Sequence, residues 1–98
     1  MPQKLRIAFI GAGFVNFGGG EGPWDHASRL ERLNDVLVSA ICDADQEKAR
    51  SQLYRRQHGA NPDIYSGCRV FGSWREMLAS DRPDAVIIGL PPVAHGRM

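Results

Sequence analysis

Long apolar runs are scarce in this chain. The longest uncharged ones span residues 7–15 and 85–94, well short of the ~20 residues that a membrane-crossing helix needs. Charge of one sign is scarce as well: 12 Lys and Arg stand against 11 Asp and Glu, for a net charge of +1. Nothing in that balance steers nucleic acid or an anionic membrane, so neither is expected as a partner. The basic residues that do gather, Arg50, Arg55 and Arg56, follow Asp43, Asp45 and Glu47 in one segment. They read as a solvated helix face with its negative residues near the start. Cysteine is limited to Cys42 and Cys68, twenty-six positions apart (68 − 42) and forming no C-x-x-C. Cys42 closes an apolar run and reads as a small packing group; a reducing, cytoplasmic compartment fits. Gly11 and Gly13 break the apolar run after Arg6, and no small-residue cleavage site follows, so this run is not expected to be a signal peptide. The sequence shows no Ser/His/Asp set, no metal-ligand spacing and no G-x-x-x-x-G-K, so no metal site or P-loop is expected.

What the chain does contain is alternation. With 98 residues, 43% hydrophobic and 23% charged, it has the size and balance of one small globular domain. Residues 5–10, 36–42 and 85–90 are apolar without clean polar alternation, the pattern of parallel strands covered on both faces. Residues 69–71 make a weaker fourth strand. Residues 25–33 carry Ala27, Leu30 and Leu33 at helical spacing, with Asn34 as a stop. Residues 45–58 carry Ala49 and Leu53 on one face, with Gly59 at the end. A third, short helix opens at the capping box Ser73-Trp74-Arg75-Glu76, with Pro83 just past it. Residues 61–63 and 66–67 are turn chemistry. Four strands and three helices in this order predict an α/β fold of the Rossmann type, a doubly wound parallel sheet with right-handed crossovers. Its ligands bind at the C-terminal ends of the strands. Strand four needs cover on both faces, and eight residues follow Leu90 here (98 − 90), too few for a helix. The expectation is the first half of a longer design, a fragment that self-associates through strand four or relies on a partner there.

Chemistry concentrates at those C-terminal ends. The first strand breaks into Gly11-Ala12-Gly13, and thirty residues beyond Gly13 (43 − 13) the second strand stops at Asp43. Gly-x-Gly lets backbone turn tightly and approach a ligand, and a helix following it turns unpaired N–H groups toward a pyrophosphate. An acid after the next strand accepts from ribose hydroxyls. The pattern departs from the usual one in having Asn16 in place of a third Gly and a longer gap to the acid. Residues 14–24 make an enlarged phosphate loop that either wraps a cofactor or merely delays the helix; Glu21 in it should point outward. Asp43 has a second reading, since Asp43-x-x-Gln46 is a capping box and Asp45 is another cap candidate. The absence of an adjacent Arg favours NAD over NADP, because a 2′-phosphate would meet two carboxylates. His95, after Pro91-Pro92, is the better placed histidine for a site. His26 starts a helix, where positive charge is disfavoured, and His58 reads as a C-terminal helix cation. Trp24 and Trp74 read as core or helix-start packing.

Together these residues resemble a known family. The strand plus Gly-x-Gly of residues 5–13, His26-Ala27, the Cys-Asp that ends residues 36–43, Glu47-Lys48-Ala49, residues 74–78, and Asp84 to His95 as Asp-Ala-Val-Ile-Ile-Gly-Leu-Pro-Pro-Val-Ala-His follow one pattern. It is similar to the N-terminal domain of the glucose–fructose oxidoreductase / inositol dehydrogenase / MocA family across nearly the whole chain. The resemblance implies an NAD(P)-binding domain over residues 1–98, with a separate substrate domain for a sugar or polyol absent from this chain. It places Gly11, Gly13, Phe14 and Val15 along the pyrophosphate, Asp43 at the ribose, and Leu90, Pro91, Pro92 and His95 along the cofactor cleft. Leu90 stands where the family often has Thr. The family's catalytic lysine lies beyond His95, in a Glu-Lys-Pro segment, so no catalytic residue is assigned. The implied function is the cofactor-binding part of an oxidoreductase. Two alternatives remain open: a non-catalytic dinucleotide-sensing regulator of the same fold, and an S-adenosylmethionine-dependent methyltransferase.

Overall fold

The computed structural model describes residues 4–17 and 25–89, at Phe14 and Val15 the backbone only. Strands β1 (Leu5–Ile10), β2 (Val36–Cys42), β3 (Arg69–Phe71) and β4 (Ala85–Ile88) form one parallel sheet in the order β3-β2-β1-β4. The helices are α1 (Phe14–Phe17), α2 (His26–Leu30), α3 (Gln46–Gln57) and α4 (Trp74–Asp81), with a 3₁₀ turn at Pro62–Tyr65. The chain winds from β1 through β2 to β3, then crosses back to lay β4 on the other side of β1. Right-handed crossovers in opposite directions put helices on opposite faces. Accordingly Ile7, Phe9, Val38 and Ile41 pack with Ala27, Leu30, Ala49 and Tyr65 on one face, while Ala8, Ala40 and Phe71 pack with Met77 of α4 on the other. This is the doubly wound, Rossmann-type architecture expected from the alternation of elements. Among the described residues no helix is long and apolar enough to cross a membrane.

β2 is buried at six of its seven positions, as its unbroken apolar run requires. Its register against β1 shifts between Ile7 and Ala8, which face Val38 and Ala40 and leave Ser39 as an extra residue. The bulge lets Ile41 continue the face begun by Val36 and Val38, and it turns Ser39 inward. The buried Ser39 hydroxyl donates to Asp81 Oδ2 at 2.5 Å, and Asp81 Oδ1 receives Arg6 and Arg69 at 2.9 and 3.1 Å. One buried carboxylate thus joins three strands to the end of α4.

Several expectations need correction. The first long helix stops at Leu30, not residue 33; only Ala27 and Leu30 reach the core, and Leu33 is 45% exposed. Residues 14–17 wind into a helical turn where a loop was expected; the rest of that loop, including Glu21 and Trp24, lies outside the described residues. The turn chemistry at 61–63 extends into a 3₁₀ turn because Ile64 and Tyr65 are drawn into the core. Trp74 is half-exposed at the start of α4 under the Arg75 guanidinium, so helix-start packing is the correct reading. Arg56 departs furthest from the sequence reading. Its guanidinium is mostly buried and bonds to Asp25, Glu31 and Ser28 at 3.0–3.1 Å and to the Phe17 carbonyl. It is no solvated side chain, because α2 and the end of α1 pack directly over it.

Candidate cofactor site

Everything at the C-terminal rim is organised around Gly11. Its φ of +100° disfavours any side chain, and a Cβ there would lie 2.2 Å from the Gly89 carbonyl oxygen. Glycine is needed on both counts. The Gly11 N–H donates to the Cys42 carbonyl at 2.7 Å, and the Gly89 N–H to the Ile10 carbonyl at 3.0 Å. The ends of β1, β2 and β4 therefore meet within one turn. Gly13 is different: a Cβ there would meet nothing closer than Lys48 Nζ at 3.6 Å. Among the described residues the outer side of the turn is open, with a cation at its margin.

Asp43 faces this turn. Its Oδ2 accepts from the Ala12 N–H at 2.8 Å, in the middle of Gly-x-Gly, and its Oδ1 accepts from the Asp45 N–H at 2.8 Å. The cap of α3 is Asp45, whose carboxylate accepts from the Lys48 N–H at 3.2 Å. The capping reading of Asp43 is thus corrected: two acids divide the work, and Asp43 is left holding the turn. Each of its oxygens keeps a lone pair for a further donor. Burial, and then the Asp43 carboxylate, push the Cys42 thiol up from its ordinary value, so it stays protonated and packs as an apolar group.

Gly11, Gly13 and Asp43 are brought together as the spacing predicted. The backbone of Phe14 and Val15 follows directly in α1, whose start bonds Phe17 N–H to the Gly13 carbonyl at 2.9 Å. That helix is four residues long, so the backbone donors this rim can offer a ligand lie in the turn itself and not at a long helix terminus. Leu90, Pro91, Pro92 and His95 lie outside the described residues. His26 is half-buried at the start of α2. The His58 Nδ1 sits 2.8 Å from the Tyr54 carbonyl at the end of α3, as a helix C-terminal histidine should. Sequence reasoning missed Lys48, whose signal was its place in the first turn of α3, and the inward role of Asn16, read only as a missing glycine. Asn16 is fully buried beside the turn.

Comparison with known proteins agrees with this geometry. Residues 5–98 match the oxidoreductase family with an NAD-binding Rossmann fold, Gfo/Idh/MocA. The chain is similar to the uncharacterized protein UNK4.17 of Schizosaccharomyces pombe, at 32% identity over 94% of this chain and 25% of that protein. It is also similar to glycosyl hydrolase family 109 protein 1 of Shewanella sp., at 31% identity over 98% of this chain and 19% of the relative. The crystal structure of a dehydrogenase from Chromobacterium violaceum shares the fold, with a TM-score of 0.64 at 24% identity, covering 100% of this chain and 24% of that one. The chain spans a quarter or less of the length of these relatives. By the match over residues 5–98, this chain, with its parallel sheet and an acid bonded into its Gly-x-Gly turn, belongs to the Gfo/Idh/MocA oxidoreductase family.

Proposed function

We propose that the chain binds NAD at the rim formed by residues 11–13, 43–48 and 89, as the cofactor-binding part of an oxidoreductase acting on a sugar- or polyol-like substrate. The observation that carries this reading is the 2.8 Å bond from Ala12 N–H to the Asp43 carboxylate. It brings a bare peptide turn and a ribose-type acceptor within one ligand's span. In this reading Gly11, Gly13 and the backbone of Phe14 and Val15 run along the diphosphate, and Lys48 adds a cation beside it. Asp43 accepts from the ribose hydroxyls with its remaining lone pairs. Leu90, Pro91, Pro92 and His95 line the cleft on the β4 side, as the family resemblance implies.

A nicotinamide bound there supplies hydride transfer; the residues of this chain bind and orient it. Asp43 and Asp45 stand together near the ribose and oppose a 2′-phosphate, which favours NAD over NADP. The relative named as a glycosyl hydrolase supports a sugar-like substrate. Titration of the chain with NADH, NADPH and S-adenosylmethionine tests the reading. NADH should bind, NADPH about tenfold more weakly, and S-adenosylmethionine not at all; binding of S-adenosylmethionine in place of NADH overturns it. Lys48→Ala should weaken NADH severalfold and flatten its salt dependence, while adenosine, which has no phosphate, binds as before. The same proposal covers the sheet edge, where β4 leaves Ile88 62% exposed for a second copy or a partner.

A further inference from the structure

Asn16 lies in the third position of the glycine motif and is fully buried. Its Nδ2 donates to the Gly11 carbonyl at 2.8 Å and to the Ile10 carbonyl at 3.2 Å. Its Oδ1 is buried with no hydrogen-bond partner among the described residues and faces Gly89, 2.5 Å from where a Cβ on that residue would lie. A buried acceptor without a donor is a cost to folding, so stability alone does not account for an amide here.

What this amide controls is one peptide plane. The Gly11 carbonyl and the Ala12 N–H belong to the same planar unit. Asn16 holds the carbonyl end, and Asp43 Oδ2 holds the N–H end at 2.8 Å. Clamped from both sides, the unit cannot rotate without breaking both bonds. Its orientation sets how the chain passes from Gly11, pinned under Gly89, to Gly13, whose outer side is open among the described residues. Exact direction of a few backbone donors is what separates a diphosphate site from an ordinary turn.

We propose that Asn16 is a positioning residue for the diphosphate: with Asp43 it fixes the 11–12 peptide so that the turn presents its backbone to the phosphates. This rests on the reading of the rim as a dinucleotide site. It assigns the departure at the third glycine position a function, in which a carboxamide supplies by hydrogen bonds the order that close packing would otherwise supply.

The test compares two probes on the 98-residue chain. NADH carries the diphosphate; adenosine carries only the ribose that meets Asp43. Both are titrated while backbone amide signals are followed by NMR. Asn16→Ala removes both donors without adding charge, and it should weaken NADH about tenfold or more while leaving adenosine within about twofold. Asn16→Thr keeps one donor and should fall between the two. A residue that served packing alone would move both probes together or neither, and either result overturns the proposal while the dinucleotide site stands. Failure of the unaltered chain to bind NADH overturns the site reading, and the proposal with it. If Asn16→Ala does not fold, Asn16→Thr decides: weaker NADH with unchanged adenosine supports the clamp, and unchanged NADH refutes it.

Discussion

The two glycines of the turn are alike in sequence and opposite in structure, and substitution should separate them. A methyl at Gly11 meets both the left-handed φ and the Gly89 carbonyl oxygen at 2.2 Å; one at Gly13 meets, among the described residues, only the flexible tip of Lys48 at 3.6 Å. Gly11→Ala should therefore cost about 2–4 kcal/mol of stability, measured by urea unfolding, from backbone strain and overpacking. Gly13→Ala should stay within about 1 kcal/mol of the parent yet lose NADH binding, because in the proposed site the methyl would stand in the path of the diphosphate. The reverse assignment of the two effects would contradict the geometry. Residue 68 offers a test by pH. Burial, and then the Asp81 carboxylate, push the Cys68 thiol up to about 12 from 9.0. The folded chain holds this proton after the unfolded chain has released it. The stability tied to it is complete below about pH 9 and is lost as pH rises toward 12. Unfolding midpoints taken between pH 8 and 11 should fall, and Cys68→Ala should flatten part of that fall.

At the scale of elements, what could be read from the sequence was what is local. The apolar runs of β1 and β2, the caps Asp45 and Ser73, and the turn at Gly11 are each defined within a few residues, and each stands where the sequence put it. The spacing of Asp43 from the turn was legible too, because the β-α-β order forces the two strand ends together. What stayed hidden depends on partners far along the chain. Arg56 reads as a surface cation until Asp25 and Glu31, 31 and 25 residues away, fold over it. The Ser39 bulge has meaning only beside Asp81, 42 residues on. The same long range makes the Arg56 cluster a strong test. Asp25 and Glu31 are 4% and 7% exposed at their side chains, and the Tyr65 hydroxyl donates to Glu31 at 2.7 Å. Arg56→Ala would leave two buried carboxylates without their cation and should cost about 3–5 kcal/mol. Arg50→Ala removes a pair whose members are 57% and 91% exposed and should change stability by less than about 1 kcal/mol. Thermal unfolding of the two variants side by side decides whether Arg56 is interior, as found, or a solvated face, as its sequence neighbours suggest.

For the molecule as a whole, the two flanks of the sheet are unequal. At β3 the sheet ends in three residues, with Arg69 reaching across to α4 through the Ser80 carbonyl and Asp81. Short length and a charged side chain protect such an edge. At β4 the described residues provide no such protection: Ala85 and Ile88 are exposed, and Val86 and Ile87 are only partly covered. A strand of four apolar residues with one row of N–H and C=O groups unpaired among the described strands is a template for pairing. The chain should therefore self-associate at micromolar concentration, with the second copy laid along β4. Sedimentation should show a weight-average mass that rises with concentration. Ile88→Lys places a charge on that edge without touching the core, and should return the chain to monomer while leaving NADH affinity unchanged, since residue 88 lies one position before the rim at Gly89. A parent chain that stays monomeric, with an unfolding midpoint independent of concentration, would mean that the described edge is already covered within the chain itself.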